Sequence, residues 1–157
     1  MTAYFLLKWI HILSAAVLFG TGLGTAFQMW TAHLTGDVRA IAAVARNVVR
    51  ADFLFTTPAV VIQPLTGFLL VRLTGTDLLA PWLVAAYVLY ILTGACWLPV
   101  VWLQIRIRDI ASAAAADGTA LPAEYRRLTR LWFALGWPAF AAVLAIFWLM
   151  VAKPALW

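Results

Sequence analysis

The sequence predicts an all-α integral membrane protein, an antiparallel bundle of four transmembrane helices. Three observations carry this expectation. Of the 157 residues, 66% are hydrophobic and 11% charged, and the mean hydropathy is +0.96; soluble domains run nearer to about half apolar and a quarter charged. A chain this short keeps much of its surface exposed when it folds, so this much apolar surface must meet lipid. The apolar residues also gather into four stretches close to the ~20 residues that cross the hydrocarbon, with most of the charge between them.

The chain reads as one transmembrane domain, 1–157, with spans at about 3–33, 53–71, 82–103 and 131–151. The first is too long for the core of a signal peptide and is followed by no cleavage pattern, so it is expected to be retained. The second contains Pro58 and Pro64, each of which removes a backbone donor and loosens the helical ladder. In lipid the freed carbonyls need partners from protein groups or water, and Thr56, Thr57, Gln63 and Thr66 are the candidates. The third span carries Thr93 and Gly94, and the fourth a proline-broken Gly136-Trp137-Pro138. No span has Asp or Glu at its centre, which argues against a carboxylate proton relay or cation pump.

Charge sets the orientation. Arg39, Arg46 and Arg50 lie in "TGDVRAIAAVARNVVRAD", and Arg106, Arg108, Arg126, Arg127 and Arg130 lie in or beside the connection between the third and fourth spans. Only Lys8, Arg72 and Lys153 lie at the opposite ends. By the positive-inside rule the arginine loops face the cytoplasm, and both termini face outward across a bacterial inner membrane. Apolar residues at helical spacing in the first arginine loop mean that it extends a helix or lies along the membrane surface. Arg50 and Asp52 flank the second span as an ion pair or a topological marker. The net charge of +5 serves this topology, and nucleic acid is not an expected partner. The one cysteine, Cys96, excludes an internal disulfide and reads as a small buried hydrophobe. Trp9, Trp30, Trp82, Trp102, Trp132 and Trp148 fall near span ends, where indoles anchor at the interface.

The first span contains the most informative residues. At 100° per residue, Lys8, His11, Ala15, Leu18, Gly22, Thr25, Met29 and His33 share one face, with Ser14 at its margin. Gly20 and Gly24 point the other way as a GxxxG pair suited to close helix contact. An ionisable residue within a span is costly unless it has a partner or a task. His11 is therefore the leading candidate, either as a ligand for heme iron or another metal, as a proton carrier, or as a histidine bonded to a neighbouring helix. His33 is 22 residues further on, roughly 33 Å along a continuous helix, so the two histidines of one chain cannot share a heme. His33 reads as an interfacial residue, and Met29 and Met150 as core. Lys8, Arg72 and Lys153 either snorkel to headgroups or pair with an anionic ligand. Gly22 leaves room for a flat cofactor, and Gln63 is the polar group nearest mid-membrane.

Lys8-x-x-His11-Ile12, Phe19-Gly20, "TPA" (57–59), "LTG" (65–67), "LTG" (92–94) and "VAKP" (151–154) together resemble the HemJ-type protoporphyrinogen oxidases, in order along almost the whole chain. "HILSAAVLFGTGLGTAF" and "FTTPAVVIQPLTG" resemble still more a related group of bacterial integral membrane proteins, the DUF2269-like proteins. The resemblance implies a four-helix bundle binding heme b with His11 as axial ligand. The oxidases carry a polar, basic set in the third helix and Asn-Glu-x-Pro in the fourth. This chain has "WLVAAYVLYILTGACW" and Leu135-Gly136-Trp137-Pro138 there, so the likeness supports heme better than the oxidase reaction.

The leading expectation is a heme b protein of the membrane with an electron-transfer or redox role. In it His11 ligates iron, Gly22 and Ala15 make room for the porphyrin, Lys8 and Arg72 meet propionates, and Gln63 is a polar neighbour. Alternatives are a cofactor-free interaction or assembly subunit that forms a homo-oligomer, a protoporphyrinogen oxidase, and a small oligomeric transporter. Expected partners are membrane lipid, a second copy, and a redox partner or porphyrin.

Overall fold

The computed structural model describes residues 2–156. Five helices follow one another: α1 (Thr2–Thr35), α2 (Val38–Ala51), α3 (Thr57–Thr74), α4 (Pro81–Asp117) and α5 (Ala123–Ala152). A π-helical turn, Asp52–Thr56, joins α2 to α3 without a break, so residues 38–74 form one long helix. Four helices are long and apolar enough to cross a membrane, and they run as an antiparallel bundle. The described residues contain no strand.

The helices exceed the membrane. At 37 residues α4 is about 55 Å long, against a hydrocarbon core of about 30 Å. Much of the arginine-bearing connections is therefore helix. In α2, Asp37 caps the N-terminus by accepting a hydrogen bond from the Arg39 N–H at 2.8 Å. Ile41, Ala42, Ala45, Val48 and Val49 then form its buried face, while Arg39, Arg46 and Arg50 point outward. Gly75 and Gly118 end α3 and α4 in the left-handed region (φ 66° and 65°), where a side chain would be strained.

The tightest packing lies at the arginine end. There α2 fits against α4, α5 and the end of α1, burying Met29, Ile41, Ile107, Ala111, Tyr125 and Trp132. Trp132 is thus a core residue, 8% exposed, rather than the interfacial anchor expected from its place near a span end. The amphipathic α2 packs over it, which no count of span lengths foretells. Trp9, Trp30, Trp102 and Trp148 do remain exposed. Cys96 is buried and free.

At membrane level α1 packs on α3 and α4 packs on α5. Phe19 of α1 reaches Phe140 and Phe147 of α5, with ring centroids 5.1 and 5.4 Å apart. A second tie joins α3 to α4. Pro64 has no N–H for the carbonyl of Val60, four residues before it, and the Tyr90 hydroxyl donates to that same carbonyl. A backbone acceptor freed by proline is thereby satisfied within lipid.

The expected packing of Gly20 and Gly24 is not found. A Cβ at either position would meet nothing within 4 Å, and both are exposed. The buried residues of α1 are Ser14, Met29 and Ala32, on faces turned to α3 and to the arginine-end core. The GxxxG face is left outside the chain's own packing.

Candidate functional site

Where α1 and α3 cross, toward the end away from the arginine-bearing connections, four polar side chains meet. The Nδ1 of His11 lies 2.8 Å from Oγ1 of Thr66. Thr66 has one hydroxyl proton, which it donates back along its own helix to the Ile62 carbonyl at 2.7 Å. Its oxygen is then an acceptor toward His11, so Nδ1 carries the imidazole proton and Nε2 carries the lone pair. Nε2 makes no hydrogen bond among the described residues. Serines and threonines that bond the i−4 carbonyl are common within helices; here the habit also fixes a tautomer on a neighbouring helix.

Gly67 makes the contact possible. A Cβ there would lie 3.3 Å from Cε1 of His11, closer than an ordinary van der Waals contact, so the missing side chain seats the ring against α3. One turn further along α1, Ser14 is buried and donates to Oε1 of Gln63 at 2.6 Å. Its hydroxyl also lies 3.1 Å from the His11 carbonyl. The Gln63 amide nitrogen has no hydrogen bond among the described residues. Beside Ser14 an apolar groove of about 260 Å³ runs between α1 and the π turn with α3, with Leu13, Val17, Leu54, Phe55 and Pro58 among its walls.

Of the residues singled out from the sequence, the structure brings His11 and Gln63 into one cluster, bridged by Ser14. Lys8 lies one turn before His11, exposed, with its ammonium 5.6 Å from the Tyr4 ring. Arg72 lies six residues after Thr66, exposed toward the same end. Lys153 sits over the Trp82 ring at 5.4 Å. Gly22 is about 16 Å along α1 from His11, exposed, with open space where a Cβ would stand. His33 stacks on the buried Tyr125 and meets its hydroxyl at 3.2 Å, which ties the end of α1 to α5.

The partner role of Thr66 and the seat at Gly67 were not read from the sequence. The available signal was their place one turn after Gln63, on the same face of α3. A second polar group is equally unmarked there. Asp52 does not pair with Arg50; it is 8% exposed and turned inward at the π turn, while Arg50 is exposed. Gln104 Nε2 donates to its Oδ2 at 2.8 Å and Trp97 Nε1 to its Oδ1 at 3.3 Å. The ion pairs among the described residues are Arg106–Glu124 and Arg108–Asp109, both outside this cluster.

Chemically, the α1–α3 cluster offers one neutral imidazole nitrogen with a free lone pair, held within a membrane helix. No group of three or more His, Cys, Asp or Glu residues among those described could hold a bare metal ion. The family model described as a predicted integral membrane protein (DUF2269) matches residues 5–154, and the chain belongs to that family. No curated protein and no solved structure matches it.

Proposed function

We propose that this member of the DUF2269 family binds heme b through His11 and serves in electron transfer or redox chemistry in the membrane. The observation that carries the reading is the hydrogen bond from Nδ1 of His11 to Thr66. A histidine that ligates a metal usually donates its other ring N–H to a fixed acceptor, which sets the tautomer and orients the ring. Thr66 does this for His11. A site with one such nitrogen suits a metal that brings most of its own ligands, as heme does.

The residues divide the work. His11 would ligate the iron, and Thr66 and Gly67 keep its ring in place. Lys8 and Arg72 offer cations at the rim for propionates. Gln63 offers amide donors at the same level, and Gly22 leaves the shared stripe of α1 bare further in. When bound, the heme supplies one-electron redox chemistry, with its potential set by axial ligand, burial and local charge. The arginine-rich end faces the cytoplasm of a bacterial cell and both termini face outward, by the positive-inside rule. A HemJ-like protoporphyrinogen oxidase activity would require the same heme.

Absorption spectra of the detergent-purified protein, supplied with heme, test this reading in the oxidised and dithionite-reduced states. Soret and alpha bands are expected in the native protein and are expected to be lost in His11→Ala. Absence of the bands, or bands unchanged by that substitution, overturns the reading. A second reading, a cofactor-free subunit that pairs through α1, is favoured by the open Gly20 and Gly24 face. It predicts a dimer that Gly20→Leu dissociates.

A further inference from the structure

We infer that Asp52 is a proton-binding site within the long α2–α3 helix, a neutral carboxylic acid whose proton sits on Oδ1. Three observations lead there. The carboxyl is buried, 8% exposed, in a helix that crosses the membrane. Its hydrogen-bond partners, the Gln104 amide and the Trp97 indole, are both neutral donors. The segment that holds it is a π turn, a form often found at functional positions in helices.

No cation pairs with the carboxyl: no ion pair among the described residues includes Asp52, and Arg106 of α4 and Arg130 of α5 are exposed. On α2 the arginines 39, 46 and 50 are all exposed. Between His11 and His33, α1 has no ionisable side chain, and α3 has none before Arg72. From Pro81 to Ile105, α4 carries only Tyr87, Tyr90 and Cys96, and α5 has none from Leu131 to Ala152. An isolated buried carboxylate is costly enough that such a group usually takes up a proton instead. A metal cation is a poor alternative ligand, because two N–H donors already point at the carboxyl oxygens.

The geometry also assigns the proton to one oxygen. Oδ2 receives the shorter bond, from Gln104, and keeps the carbonyl role; Oδ1 receives the longer one, from Trp97, and carries the hydrogen. Uptake forms an O–H bond at Oδ1 with a proton from a hydronium ion of the solvent at the arginine end, leaving water, and no electron moves. Proton binding at Asp52 is independent of whether His11 holds a heme.

Infrared spectroscopy on the full chain in lipid nanodiscs, with aspartate carrying ¹³C at its side-chain carboxyl, tests it. Asp37, Asp77, Asp109 and Asp117 are not buried, so at neutral pH a protonated aspartic acid reports Asp52 alone. The expected result is a carboxylic C=O band that shifts with the label, is lost in Asp52→Asn and moves to higher frequency in Gln104→Leu. Absence of a label-sensitive carboxylic band at neutral pH overturns the proposal, as does a band that survives Asp52→Asn. If Asp52→Asn does not fold, the labelled native protein and Gln104→Leu still decide: a band that Gln104→Leu leaves in place overturns it.

Discussion

Thr66 has one hydroxyl proton, and where that proton goes decides what His11 can do. Because it goes to the Ile62 carbonyl, the oxygen can only accept from His11, and Nε2 is left with its lone pair. Thr66→Val keeps the shape and removes the acceptor. In a heme-loaded protein this substitution is expected to weaken heme binding by roughly 10–100-fold while His11→Ala abolishes it, as for other groups that orient a metal-bound histidine. Titration of the apoprotein with hemin checks the order; equal affinity in Thr66→Val and native protein removes Thr66 from the account. His11 itself stood out as a histidine inside an apolar span. Its partner did not, because a threonine in a membrane helix most often bonds only its own backbone.

Prolines give the second long helix its character. Pro64 leaves the Val60 carbonyl without its helical donor, and Tyr90 supplies one from α4. Tyr90→Phe is expected to destabilise the bundle by about 1–2 kcal/mol, the scale of an unsatisfied buried acceptor. In a Pro64→Ala background the backbone N–H returns, so the same substitution should cost almost nothing. Unfolding of the four proteins in mixed micelles gives the coupling directly; a Tyr90→Phe cost that persists in the Pro64→Ala background would show that the hydroxyl acts elsewhere. Both prolines and the need for donors are plain in the chain. Which side chain answers is not, since several hydroxyls and one amide compete at similar depth. The π turn was equally hidden. Asp52 looked like a boundary charge beside Arg50, and the continuous helix instead turns it inward toward Gln104 and Trp97.

The whole molecule is packed unevenly. Its tightest core sits at the arginine end, where α2 closes over α4 and α5, while the membrane-level surface remains widely exposed for lipid. Ile107 is 2% exposed in that core, and Leu98, 66% exposed, lies between two and three turns away toward the membrane on the same helix. Ile107→Ala is expected to lower stability by about 2–5 kcal/mol, the usual range for emptying a core position, and Leu98→Ala by far less, because lipid replaces what the side chain touched. Equal losses on denaturant unfolding would mean that the arginine end is not the stabilising core.

The sequence by itself determined the solvent, the helical class and the four crossings, because these follow from apolar lengths and the need to satisfy every backbone group in lipid. It also marked His11, whose presence in a span asks for a reason. Only the tertiary structure decided what the polar residues meet. The open GxxxG face, the burial of Trp132, the Thr66–His11 bond and the inward Asp52 all depend on how helices are rotated against one another. That rotation is set by contacts between residues far apart in the chain, such as Ser14 with Gln63, 49 positions on, and His33 with Tyr125, 92 positions on, and no periodicity within a single helix records it.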